Sequence, residues 1–304
     1  MSDIASQKKT KNGQSRWIDR LVPMILLLIA SISIVTTVGI VVTLIVDASH
    51  FFSEVPLREV FSTELAPLNA KNPRFGFLPL IMGTIVTSLI AMVVAVPIGL
   101  SAAIYLSEFA STRMRKLLKP IIELLAGIPT IVYGFFAYSF VTPLLMRLIP
   151  TLGSKNALSP GIVMGIMIIP IVTSLSEDAM SAVPSGIREA AIGMGSTKLE
   201  AAVKVIVPAG MSGIIASFVL AISRAIGETM IVTIASGSAK NFTLDVTQPM
   251  QTMTAYIVEF TSGDAGTGTT GYYSLYAVGL ILFIFTLLMN MLARFIIKRY
   301  RKEY

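Results

Sequence analysis

Residues 177–208 read EDAMSAVPSGIREAAIGMGSTKLEAAVKVIVP and separate two long apolar runs, near 160–182 and 207–236. The segment is too polar to cross lipid and too rich in Ala and other helix formers to be a loose loop. Pro184-Ser185-Gly186 makes a break, Ser185 is placed to cap, and Arg188-Glu189-Ala190-Ala191 opens a short helix that Gly193 and Gly195 can end. A second piece runs from Thr197 to Val207, and Pro208 then opens the next apolar run at a first-turn position that tolerates a missing amide. Small Ala residues on one face, bracketed by charges, suit a helix that docks into a groove of another protein. An ordinary amphipathic connector is the other reading of the same composition.

Outward from this insert, apolar stretches long enough for ~30 Å of hydrocarbon lie near 21–46, 78–106, 121–149, 160–182, 207–236 and 274–297. Six spans follow, and with them an all-α, polytopic membrane helical bundle. The whole composition agrees: 54% of the 304 residues are hydrophobic and 13% charged, where a water-soluble domain carries about 25% charged residues. The absence of Cys excludes disulfides, thiolate metal sites and a Cys nucleophile, and the single His, His50, leaves no basis for a His-rich metal centre or a Ser/His triad. His50 reads as an ordinary residue of an outer loop. Pro97, Pro129, Pro143 and Pro170 fall inside apolar runs, where each removes a backbone donor and invites a kink, so those spans must pack against protein. Gly161 and Gly165 allow a close helix approach.

The basic head Lys8, Lys9, Lys11, Arg16 and Arg20 precedes an apolar run longer than a signal peptide's core, so the first span is expected to stay as an anchor. Of the 24 Lys and Arg residues, 17 collect on one side of the six-span arrangement and 6 on the other, which places both termini in the cytoplasm. Trp17, Tyr272, Tyr273, Tyr276, Tyr300 and Tyr304 stand at span borders as interface anchors. The resulting plan is a cytoplasmic head at 1–20, a first span at 21–46, an extracytoplasmic loop at 47–77, a five-span core at 78–297 holding the cytoplasmic insert at 185–208, and a tail at 298–304. The Gly/Thr run Ser262 to Gly271 lacks a Gly-Lys-Ser/Thr ending and reads as a flexible surface loop; no sequence for binding ATP occurs.

One cation, Arg224, stays inside a span, four residues before Glu228. Each charge costs about 2.5 to 3.5 kcal/mol at the centre of a lipid-facing helix, and each Leu, Ile or Val returns only about 0.3 to 0.6. Both groups must therefore face protein or water. At i and i+4 they lie on one side of the helix and can pair. One reading is a neutral pair that locks helix packing; the other is a substrate gate. A guanidinium offers a planar fork for an oxyanion, and a carboxylate accepts a hydrogen bond from an anion that still carries a proton while repelling one that does not. Such a gate admits hydrogen phosphate and disfavours sulfate.

Glu189-Ala190-Ala191, three residues, Gly195, nine residues and Val205-Ile206-Val207-Pro208 resemble the EAA loop of ABC importer permeases. That resemblance implies a type I ABC importer permease fold, with Arg188, Glu189, Ala190, Ala191 and Gly195 on the coupling helix that contacts the ATPase. Arg224-Ala-Ile-Gly-Glu-Thr-Met230 resembles the Arg-Ala-Leu/Ile-Gly-Glu-Thr signature of phosphate-specific transport permeases. Leu78 to Leu89, Ala95 to Leu100, Leu106-Ser-Glu108 and Glu123 to Gly134 are similar to the same family, and Met230 matches its PstC type. The likeness covers most of residues 75–297. It implies Arg224 and Glu228 on the phosphate path, a second permease subunit of PstA type, two copies of a separate ATP-binding subunit, an extracytoplasmic phosphate-binding protein, and a bacterial inner-membrane location. ATP hydrolysis then belongs to another chain. No cofactor, metal or nucleic acid is implied; the partners are inorganic phosphate, membrane lipid and these subunits. The alternatives are a PstA-type subunit, a permease for another oxyanion and an ion-coupled secondary phosphate transporter, although the inverted repeats usual in the last are not evident. A membrane phosphatase lacks an acid/base companion for His50.

Overall fold

The computed structural model describes residues 13–300 apart from Ala70, Ala265 and Thr267. Lys8, Lys9, Lys11, Lys302 and Tyr304, together with the side chains of Arg16, Trp17, Arg20 and Tyr300, lie outside what is described. The Gly/Thr run is likewise described only in part.

The chain is a bundle of α-helices. It opens with α1 (Gly13–Glu54), α2 (Leu57–Val60) and a hairpin of two-residue strands, β1 (Leu65–Ala66) and β2 (Arg74–Phe75), paired antiparallel. The first span therefore runs on past 46 to Glu54, and His50 lies on it rather than in a loop, its ring tilted against Tyr273 at 5.2 Å. The segment after α1 is drawn inward by aromatics: Phe51, Phe75 and Phe77 pack with Tyr256, Phe260 and Val278. Along most of its length α1 exposes its apolar side chains.

After α3 (Leu78–Ile104) and a π-helical turn (Tyr105–Phe109) come α4 (Thr112–Ala126), α5 (Thr130–Phe136) and α6 (Thr142–Leu148). The expected single span over 121–149 is thus broken. Pro129 has no amide to continue the ladder, and the chain leaves helix at Gly127-Ile128-Pro129. Ser111 caps α4 by accepting from the Met114 amide, and α4 buries no residue. From Thr130 to Leu148 the helix is continuous, widening into a π turn (Ala137–Val141) just before Pro143.

The central helix is α7 (Leu158–Ser181). It lies along α3 so closely that a Cβ on Gly165 would sit 2.8 Å from the Ala91 carbonyl oxygen, so the small-residue spacing serves packing within this chain. The insert then folds as α8 (Ser185–Gly193), α9 (Lys198–Ala201), a π turn (Ala202–Ile206) and α10 (Val207–Ala209). The chain bends by 73° into α11 (Met211–Ile226). Three residues separate α11 from α12 (Met230–Ala235), and α13 (Met253–Glu259) and α14 (Thr270–Tyr300) complete the bundle.

Among the described residues, five helices are long and apolar enough to cross a membrane, six if the bent pair around Gly210 is one span. Their packing forms a central core of α3, α5, α7, α11 and α12 residues, including Ala91, Tyr133, Ile168, Ala221 and Ile231. A second cluster near α8 joins Ala103, Met180, Val183, Ile206 and Ile214. The aromatic cluster closes the opposite end.

Candidate translocation site and coupling segment

Two of the sequence-chosen residues, Arg224 and Glu228, flank the break between α11 and α12. The expected continuous helix does not exist there: α11 stops at Ile226, Gly227 is its C-cap, and the Gly227 amide bonds back to the Ser223 carbonyl at 3.2 Å. Among the described residues no ion pair joins Arg224 to Glu228; the shared helix side expected for them is lost with the helix, and of the two readings the neutral pair does not form. Glu228 turns inward and is 7% exposed. Its Oε1 accepts hydrogen bonds from the Met230 amide at 3.1 Å and the Ile231 amide at 3.4 Å, the first donors of α12. Its Oε2 accepts none among the described residues. Arg224, in contrast, is exposed on the last turn of α11, about 20 Å along the helix from Met211 at 1.5 Å per residue. A cation at a helix C-terminus is favoured by the backbone dipole, but that deep in a membrane bundle it still needs water or a partner chain beside it.

Threonine hydroxyls, which the sequence did not single out, tie the start of α13 to the Glu228 break and to α3. The Thr254 hydroxyl donates to the Glu228 carbonyl at 2.9 Å and lies 3.0 Å from the Thr252 hydroxyl. Thr84 on α3 accepts from the Met253 amide at 3.0 Å. These hydroxyls anchor the start of α13 against the break. The only sequence signal was the Thr-x-Thr pattern at the start of α13, with Thr252 as its N-cap and Thr254 in its first turn.

At the other end of α11 the insert adopts the expected two short helices. The Glu-Ala-Ala-x3-Gly spacing has a direct backbone explanation: Gly195 takes φ +92°, its amide bonds to the Ile192 carbonyl at 2.9 Å, and the Ser196 amide reaches the Ala191 carbonyl at 3.1 Å. That pair of bonds is a Schellman ending for α8, and the left-handed residue is the glycine. Thr197 and Glu200 then form a capping box that starts α9. Ser185 does not cap: Pro184 occupies the N-cap position and Ser185 is already the first helical residue, because the residue ahead of a helix needs extended backbone and Pro184 supplies ψ 136°. Glu189, Ala190 and Gly195 are exposed and Ala191 is half-buried. Ile192 and Leu199 are exposed beside them, and Met194 is 89% exposed.

Arg188 faces inward instead. Its Nε donates to Glu108 Oε2 at 2.8 Å and its Nη2 to Glu108 Oε1 at 2.9 Å. This fork, with the carboxylate at the end of the α3 span, raises the Arg188 pKa. Arg188 thus positions α8, while Glu189 and Ala190 are left to face outward. A second ionic group was not expected. Glu177, fully buried at the end of α7, accepts from Arg115 and from Lys119 (2.7 Å) of α4, and Lys119 also reaches Asp178 at 3.0 Å.

The profile of the binding-protein-dependent transport system inner membrane component matches residues 95–302. The chain belongs to this family. Among curated permeases, it is 36% identical to the phosphate transport system permease protein PstC of Mesorhizobium japonicum over 76% of either chain. It is 30% identical to the probable ABC transporter permease protein YqgH of Bacillus subtilis, over 97% of this permease and 96% of that one. Among solved structures, a bacterial alginate ABC transporter in complex with an alginate pentasaccharide-bound periplasmic protein matches with a TM-score of 0.64, covering 93% of this permease and 96% of that chain at 15% identity. The MetNI methionine ABC transporter, in inward-facing conformation, matches with a TM-score of 0.56 at 16% identity over 75% of this permease and 95% of that chain. The fold is that of ABC importer permeases.

Proposed function

We propose that this chain is a membrane-spanning subunit of an ATP-driven importer that carries inorganic phosphate received from an extracytoplasmic binding protein. The carrying observation is a guanidinium unpaired among the described residues on the last turn of α11, four residues before a buried carboxylate of which only one oxygen is engaged by backbone amides. Arg224 faces outward from this chain, toward a second permease subunit of PstA type, and binds the anion in the shared path. Glu228 Oε2 is left to accept the proton of hydrogen phosphate, and the same negative charge disfavours an anion without one. The PstC relatives support phosphate as the cargo.

In this reading Glu189, Ala190, Ala191 and Gly195 meet the ATP-binding subunit, of which two copies serve the two permeases, and Arg188 positions the helix from behind. The protein lies in the bacterial inner membrane with the α8 end and both termini in the cytoplasm. The test is to purify the chain with its partners from lipid nanodiscs and to measure ATP hydrolysis with and without phosphate-loaded binding protein. Co-purified ATPase whose turnover rises with the loaded binding protein is the expected result. Phosphate uptake that persists on an ion gradient after the cognate ATPase is deleted would overturn it.

A further inference from the structure

The buried carboxylate at Glu177 has no part in the path or in the ATPase contact, yet it sits where the two are mechanically joined. It lies on the last turns of α7, and only Ala182-Val183-Pro184 separate α7 from α8. Val183 is buried and packs with Met180 and Ile206, so the link between α7 and α8 is fixed against the core. Arg115 and Lys119, one turn apart on α4, both donate to Glu177; Arg115 also donates to Ser181 at 3.2 Å and Lys119 to Asp178 at 3.0 Å. No residue of α4 is buried, Arg115 and Lys119 included. Its attachment to α7 at this end is ionic, as is that of α8 to the end of the α3 span through Arg188 and Glu108.

The α4 helix is in turn joined to the Glu228 break. The Tyr133 hydroxyl of α5 donates to the Leu125 carbonyl of α4 at 2.7 Å, across the Gly127-Ile128-Pro129 elbow. Gly134 of α5 lies so close to the start of α12 that a Cβ there would stand 3.1 Å from the Met230 carbonyl oxygen and 3.3 Å from the Ile231 Cα. Met230 and Ile231 are the residues whose amides hold the Glu228 carboxylate. A continuous set of contacts runs from α8 through the Glu177 cluster, α4 and α5 to Glu228. A buried carboxylate loses its hydration, and taking away its cations would leave an uncompensated charge, so α4 is held to the end of α7 while the cluster is intact. Chains of packed side chains and ion pairs of this kind can carry coupling between sites.

We propose that Glu177, clasped by Arg115 and Lys119, is the positioning residue that transmits the movement of α8 to the Glu228 break. Glu177 touches neither phosphate nor the ATPase; it sets how far α4 and α5 follow α7. The inference rests on the importer reading above and names how its site is controlled. Glu177→Gln removes the buried charge while keeping the side chain's shape, and it leaves two cations that already reach solvent, at 39% and 29% exposure.

The experiment uses the complete complex in proteoliposomes with the binding protein, and reads inorganic phosphate taken up per ATP hydrolysed. For Glu177→Gln we expect an assembled complex whose basal hydrolysis stays within about twofold of the unmodified protein, with phosphate per ATP reduced at least about tenfold. A merely structural role would lower the amount of complex but not the ratio per assembled complex, so an unchanged ratio overturns the clasp. If Glu177→Gln does not assemble, the triple variant Arg115→Gln, Lys119→Gln and Glu177→Gln replaces the cluster by neutral amides. The same loss of ratio in it supports the clasp, and a normal ratio overturns it. If the unmodified complex takes up no phosphate with ATP, the importer reading fails; if it does and Glu177→Gln does equally, only the clasp fails.

Discussion

Gly195 shows what a single residue contributes to the coupling segment. At φ +92° a side chain incurs about 1 to 2 kcal/mol of backbone strain, although nothing lies within 4 Å of the added Cβ. Gly195→Ala is therefore expected to loosen the end of α8 without a steric clash, and to reduce the ATPase retained on the purified permease; full retention in a pull-down at matched expression contradicts that role. The need for glycine was legible, since the spacing ends a helix there. The relation of Arg224 to Glu228 was not. Both were visible as charges in an apolar run, but whether i and i+4 meet depends on the helix continuing, and Gly227 ends it. Glu177 was invisible as a site because its cations lie 58 and 62 positions away in sequence.

At the level of elements, hydropathy located the spans and missed their breaks. A run averages as apolar whether or not the backbone continues through it, so 121–149 and 207–236 look uniform while Pro129, Gly210 and Gly227 interrupt them. These breaks deliver α5 against α12. Gly134→Ala would press a methyl group to 3.1 Å from the Met230 carbonyl oxygen. Overpacking of this kind costs about 1 to 3 kcal/mol. A lower thermal midpoint of the purified complex is expected together with slower phosphate uptake; an unchanged midpoint would show that α5 and α12 are not tightly seated. The outer segment after α1 was also read too simply, because aromatics spaced irregularly through 51–77 carry no period, yet Phe51, Phe75 and Phe77 assemble into one cluster.

The whole molecule leaves an unusual amount of apolar surface uncovered. Leu26, Leu27, Leu28 and Ile34 on α1 and Ile131, Phe135 and Phe140 on α5 and the turn after it are exposed, as suits a chain surrounded by lipid. Its orientation is open to direct measurement because the sequence has no Cys. Thr63→Cys is expected to react with a membrane-impermeant maleimide on intact cells stripped of their outer membrane, and Lys198→Cys only after the inner membrane is opened. The reverse pattern would invert the topology drawn from the basic residues. Composition alone established the membrane class, and the apolar runs gave six spans where, among the described residues, five helices qualify, or six with the bent pair around Gly210 counted as one. The expected sidedness rests on the distribution of Lys and Arg, and the proposed path on two charges with no lipid-compatible place.

Those two charges supply the most direct test. In proteoliposomes holding the assembled complex, ATP-driven uptake of labelled phosphate is compared for the unmodified protein, Arg224→Ala and Glu228→Gln at equal ATPase content, with sulfate as competitor. The account predicts at least about a tenfold loss of phosphate flux for Arg224→Ala, and for Glu228→Gln weaker rejection of sulfate along with reduced flux. Normal phosphate flux in Arg224→Ala, or sulfate competing equally well before and after the Glu228 change, would contradict it.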